Sequence, residues 1–168
     1  MSINRTKKIV LAASVVVPFL LYCMYYYGMI IKNAPYKFAE FQSMVFKYGK
    51  GDSLVNQYNS KTGDYQYMTK DGHLVKKHLH LNKDELLFLH RKASDLGFWD
   101  FPANEQPRDT SRKVVSPHYY MEFNYAHKSK KVLYDDAFDG DPSLKDANQR
   151  LIKEIQKVLD EAEIRQNK

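Results

Sequence analysis

Asp64–Gly97, DYQYMTKDGHLVKKHLHLNKDELLFLHRKASDLG, changes its hydrophobic period part-way along. In the first half Tyr65 and Tyr67 alternate with polar neighbours, the period of a half-buried strand. Asp71-Gly72 is a strong hairpin signal, and His73–Leu81 reads as the returning strand. From Asn82 the period becomes helical. Leu86, Leu89, Ala93 and Leu96 recur at helical spacing, Asn82 and Glu85 have the spacing of a capping box, and Gly97 can close the helix. Strand, turn, strand and helix within one short segment place the chain in the α+β class.

The flanking sequence extends this pattern in both directions. Upstream, Phe46 and Tyr48 enclose Lys47, Gly49-Lys50-Gly51 can turn the chain, and Leu54–Tyr58 is a further strand. Gly49–Ser53 superficially resembles a phosphate-binding loop, but it lacks the P-loop spacing and no helix follows, so it reads as a turn. Downstream, Phe98, Trp99 and Phe101 form an aromatic knot suited to capping the core beneath the helix. Pro102–Pro117 is long, polar and without periodicity. Tyr119, Met121, Phe123 and Tyr125 alternate with polar residues, and Lys131–Asp135 pairs back across Ala126–Lys130. Asp141 caps a last helix with Pro142 at its first position, and Leu144, Ala147, Leu151, Ile155, Val158 and Ala162 form its apolar stripe. The expected architecture is one antiparallel sheet of about five strands packed by two α-helices, with a transmembrane helix ahead of it.

That helix is Ile9–Ile31, IVLAASVVVPFLLYCMYYYGMII, which carries no charge. At ~1.5 Å per residue such a run crosses a ~30 Å hydrocarbon layer with some tilt. A cleaved signal peptide would need small residues after a short apolar core, and here Tyr22, Cys23, Met24 and three tyrosines follow. A lipidation signal at Cys23 would need a small residue where Tyr22 stands. The run therefore reads as an uncleaved, single-pass signal anchor. Tyr25, Tyr26 and Tyr27 suit the interface, and Pro18 is tolerated within a membrane helix. Arg5, Lys7 and Lys8 precede it and Lys32 follows. The short basic tail favours an N-terminus in the cytoplasm, with the C-terminal domain periplasmic or extracellular. The layout is then a basic tail (1–8), the anchor (9–31), a linker (32–37) and an α+β domain (38–168).

Three of the 26 Lys and Arg residues precede the span, which leaves 23 against all 20 acidic residues after it. That mild basic excess favours solubility and an anionic membrane surface over nucleic acid, which is not expected as a partner. Cys23 is the only cysteine, so the domain has no disulfide, thiol nucleophile or cysteine zinc site. No recognised nucleophile motif or acid–base pair is present, and no cofactor is expected.

Three groups of residues are weak site candidates. Asp135, Asp139 and Asp141, with Gly140 to turn the chain, could offer carboxylates to calcium. Placed on an EF-hand loop, however, they leave Ala137 and Asp146 where ligands are required, and a solvated turn with a helix cap explains them as well. His78 and His80 share a strand face with Lys76, whose charge disfavours a bound cation. Arg108, Arg112 and Lys113 make the Pro102–Pro117 segment locally basic, the best guess for a partner contact, whether protein, lipid headgroup or envelope material. No motif identifies a family. The leading expectation is a membrane-anchored, non-enzymatic interaction or assembly module of the cell envelope. The alternative is a membrane-tethered enzyme or metal-dependent binder using the Asp135–Asp141 loop.

Overall fold

A computed structural model describes residues 5–32, 36–51, 53–108 and 115–167. The chain divides into two units, Met1–Tyr36 and Lys37–Lys168. The first contains one helix, α1 (Arg5–Lys32), with Pro18 inside it. Within it Lys7–Tyr27, of mean hydropathy 2.1, is long and apolar enough to be a membrane anchor or a signal sequence. Between Ile9 and Tyr27 its large apolar side chains are exposed. The one serine in Lys7–Tyr27, Ser14, turns its hydroxyl back onto the Leu11 carbonyl at 2.8 Å, which satisfies the donor within the helix.

The second unit is α+β. Its strands are β1 (Phe41–Lys50), β2 (Asn56–Asn59), β3 (Asp64–Met68), β4 (Leu74–His78), β5 (Asn104–Glu105), β6 (Pro117–Tyr125) and β7 (Ser129–Asp135). Its helices are α2 (Lys83–Asp95) and α3 (Pro142–Gln166). The strands form one seven-stranded sheet in the order β4-β3-β2-β1-β6-β7-β5. The expectation of about five antiparallel strands is corrected in number and in kind. Five of the six strand pairings are antiparallel, but β5 runs parallel to β7. β5 lies within the segment read as a structureless loop. Two residues are too few to show a period, and a glutamate at one of them reads as solvent-facing.

Local chemistry sets the element ends. Gly72, at φ +80°, makes the β3–β4 turn, as the Asp-Gly pair requires. Asn82 accepts from the Glu85 amide at 2.9 Å while the Glu85 carboxylate accepts from the Asn82 amide at 2.7 Å, which completes the capping box of α2. Gly97, at φ +76°, ends that helix in the left-handed region. Asp141 caps α3 through the Ser143 amide at 2.8 Å.

Because side chains alternate along each strand, the sheet has two different faces. Met44, Phe46, Tyr58, Tyr65, Met121, Phe123, Val132 and Tyr134 are buried on one. Against them lie Leu89 and Ala93 of α2 and Leu151, Ile155, Val158, Leu159 and Ala162 of α3. Phe98 and Trp99 stand edge-on to Phe123, with centroids 5.4 and 5.6 Å away, and close the core below α2. Bonds between elements fix both helices to this face. The His90 ring meets the Tyr125 hydroxyl at 2.7 Å, and Tyr67 donates to Glu163 at 3.1 Å. The α3 stripe extends beyond the predicted one, since Ile152, Leu159 and Asn148 are also buried.

Candidate functional site

The opposite face of the sheet stands open as a groove of about 580 Å³. The ladder register builds it in two rows. One runs Lys76, Gln66, Gln57, Lys47, Tyr120 across β4, β3, β2, β1 and β6, and the other runs His78, Asp64, Asn59, Val45, Glu122. These are the polar halves of the alternating strands, positioned by the same pleat that buries the other halves.

Several of these side chains already engage one another. Tyr120 donates to Glu122 at 2.7 Å, and Lys47 Nζ lies 5.8 Å from the Tyr120 ring centroid. Burial, and then the adjacent Glu122 carboxylate, push the Tyr120 hydroxyl up to about 12, so it remains a neutral donor. Gln66 donates to the Val55 carbonyl at 2.8 Å, and Asp64 accepts from Thr62 at 2.6 Å. Lys47 and Lys76 balance Asp64 and Glu122, and the third lysine of the lining, Lys77, is ion-paired with Glu163 of α3. The Gln57 amide and the Lys76 ammonium remain unengaged within the described chain. Such a surface can offer hydrogen bonds and an aromatic face to a polar ligand. It holds no nucleophile next to a base.

A second cluster, not anticipated from the sequence, lies past one end of this face. Asp135 is buried and accepts from Ser116 Oγ at 2.5 Å and from the Ala137 amide at 2.7 Å, while His118 Nε2 lies 2.6 Å from its other oxygen. The residue types are those of a hydrolytic triad in the wrong order. The serine proton is directed to the carboxylate rather than to the imidazole, so the histidine does not activate the serine. The cluster instead satisfies a buried carboxylate and ties the start of β6 to the end of β7. Only the register, His118 opposite Asp135, brings these residues together, and no spacing in the sequence announces it.

The sequence-based candidates fall as follows. Asp135 is engaged as just described. Asp139 accepts from the Arg108 backbone amide at 3.2 Å, and Asp141 accepts from the Ser143 amide and hydroxyl at 2.8 and 2.7 Å. Those two bonds hold the Asp141 carboxyl below its ordinary range. The three carboxylates thus serve three different local partners, and no group of three metal-ligating side chains gathers among the described residues. The Arg108 side chain is exposed; Arg112 and Lys113 lie outside the described residues. β4 ends at His78, so His80 lies beyond the strand, and its carbonyl accepts from Gln166 of α3 at 2.8 Å. Lys7 and Lys8 lie exposed in the first turns of α1, and Arg5 and Lys32 are its end residues. No protein-family model and no curated protein sequence matches the chain.

Proposed function

We propose that this chain is a single-pass, membrane-anchored binding module of the cell envelope, without enzymatic activity, whose open sheet face holds a polar partner. The apolar α1 supports the anchoring. The three basic residues before it favour a cytoplasmic N-terminus and a domain on the far side of the membrane. One observation carries the binding role. A half-buried face spanning five strands keeps a charge-balanced, hydrogen-bonding groove with Gln57 and Lys76 unengaged, while the other face holds both helices. The balance of Lys47 and Lys76 against Asp64 and Glu122 favours a polar but largely neutral partner surface over a polyanion. The engagement of Asp135, Asp139 and Asp141 by separate neighbours favours binding by this face over metal-dependent action of the acidic loop.

Site-specific photo-crosslinking in the native membrane tests the proposal. A photoreactive residue at Gln57 should yield discrete adducts, and one at the exposed Lys157 of α3 should yield none in common with them. Adducts from Lys157 alone, or the same adducts from both positions, would sink the assignment of the open face.

A further inference from the structure

Glu105 is one of the two residues of β5, and its side chain is fully buried against Asn148 of α3, itself fully buried. Asn148 Nδ2 donates to Glu105 Oε2 and to the Leu144 carbonyl, the latter at 2.9 Å, so both amide hydrogens are used. Two buried atoms remain without a partner, Glu105 Oε1 and Asn148 Oδ1. If Glu105 is ionised, both are acceptors and neither can satisfy the other. Two orphaned acceptors on a single contact are costly to bury.

One proton removes both vacancies. A carboxylic acid facing a primary amide closes a ring of two hydrogen bonds, with the amide N–H donating to one acid oxygen and the acid O–H donating to the amide oxygen. The first of these bonds is present, and the second joins the two orphans. We infer that Glu105 is carried as the neutral acid, and that the Glu105–Asn148 pair is a proton-operated latch fastening β5 to α3.

The surroundings agree. On β7, Lys130 is the nearby cation, but its ammonium donates to the Phe101 carbonyl and Asp100 also attracts it. No ion pair joins it to Glu105 among the described residues. Tyr134, opposite Glu105 on the same strand, has its hydroxyl pushed up by burial and then by Asp136, so it contributes no charge. From α3 the group facing Glu105 is the neutral Asn148. Burial pushes the Glu105 carboxyl up to about 7, against the smaller opposing pulls of Asn148 and Lys130. The folded state therefore binds a proton that the unfolded chain, with an ordinary carboxyl, has already released. The latch's contribution is fully present below the unfolded value near 4.5 and is lost as pH rises through about 7. β5 leads directly into Gln106–Arg108, where the Arg108 amide is pinned to Asp139. Opening the latch frees the root of the segment that precedes β6.

The test compares the full chain in detergent with Glu105→Gln, whose amide can supply both hydrogen bonds at any pH. In the wild type the melting temperature should fall between pH 5.5 and 8.5, and amide exchange at Glu105–Arg108, corrected for intrinsic rates, should accelerate. Between about 4.5 and about 7 the folding equilibrium constant should fall by up to tenfold per pH unit, levelling off above that window. In Glu105→Gln both trends should flatten to the residual slope set by the other titrating groups. The side-chain carboxyl signals of ¹³C-glutamate-labelled wild-type protein give a direct reading that holds even if the variant fails to fold. One signal should titrate well above 4.5. A Glu105 carboxyl ionised throughout this range, as a buried water donating to both orphans would allow, overturns the proposal. Retention of the full wild-type pH dependence by Glu105→Gln does so as well.

Discussion

Replacing Ile155 by Ala tests whether the α3 stripe holds the domain together. Ile155 is fully buried, whereas Ile164, two and a half turns further along the same helix, is 60% exposed. The Ala substitution removes three carbons. At ~0.8 kcal/mol per buried methylene the transfer term is about 2.4 kcal/mol. Incomplete collapse of the resulting cavity adds to it, for a total of about 3–4 kcal/mol. A domain spanning Lys37–Lys168 unfolds with an entropy of roughly 0.27 kcal/mol/K, so the melting temperature should drop by about 12 °C. Ile164→Ala, with the same change in side chain and little change in burial, should move it by no more than about 2 °C. Near-ultraviolet circular dichroism of the full chain in detergent reports the loss, because Trp99 and the aromatic rings around it occupy the same core. Equal shifts from the two variants, or a loss below about 0.5 kcal/mol for Ile155→Ala, would refute packing of α3 onto the sheet as the source of stability.

Three further outcomes are expected. Reporters fused after Lys168 should be active only on the non-cytoplasmic side, and cytoplasmic activity would overturn the proposed orientation. Joint replacement of Arg108, Arg112 and Lys113 by Ala should leave the melting temperature nearly unchanged. It should weaken association with anionic vesicles, more at low salt than at high, and unaltered association would remove these residues from consideration as a contact. Tyr125→Phe deletes the hydroxyl that meets the buried His90 ring and should cost about 1–3 kcal/mol. Burial, and then Arg91, lower the pKa of His90, so its contribution is present above the unfolded value near 6.5 and is lost as pH falls. A variant as stable as the wild type at neutral pH would refute the pairing.

Legibility in the sequence followed the range over which each signal acts. The turn at Gly72, the capping box of Asn82 and Glu85, and the Asp141-Pro142 helix start are local. The groups that make each bond lie within a few residues of one another, and these elements stand where the pattern puts them. The long strand β6 was legible because burial on one face imposes a period of two over several residues, whereas β1 showed that period only at Phe46–Tyr48, because Ser43 and Met44 are both buried and Gly49 and Lys50, read as a turn, continue the strand. β5 escaped because its pairing with β7 is non-local and because its buried residue is a glutamate, which composition assigns to solvent.

The candidate site follows the same logic. Lys47, Gln57, Gln66, Lys76 and Tyr120 each read as the ordinary polar half of a strand, and none carries a motif. They become a lining only through a register that places five strands side by side. The Ser116–His118–Asp135 cluster and the Glu105–Asn148 pair likewise require partners distant in sequence to be placed first. The sequence candidates, by contrast, were runs of neighbouring residues, and part of what engages them is local. Asp141 caps its helix, and Asp135 accepts from the Ala137 amide in its own turn. Carboxylates consecutive in a turn have nearby backbone amides to accept from, so their proximity in sequence argues first for local structure. A charged or amide side chain away from the end of a strand has no such local amide. When it is half-buried and unpaired, as Gln57 is, what satisfies it must come from outside the ladder, and that distinction directs the functional reading to the open face of the sheet.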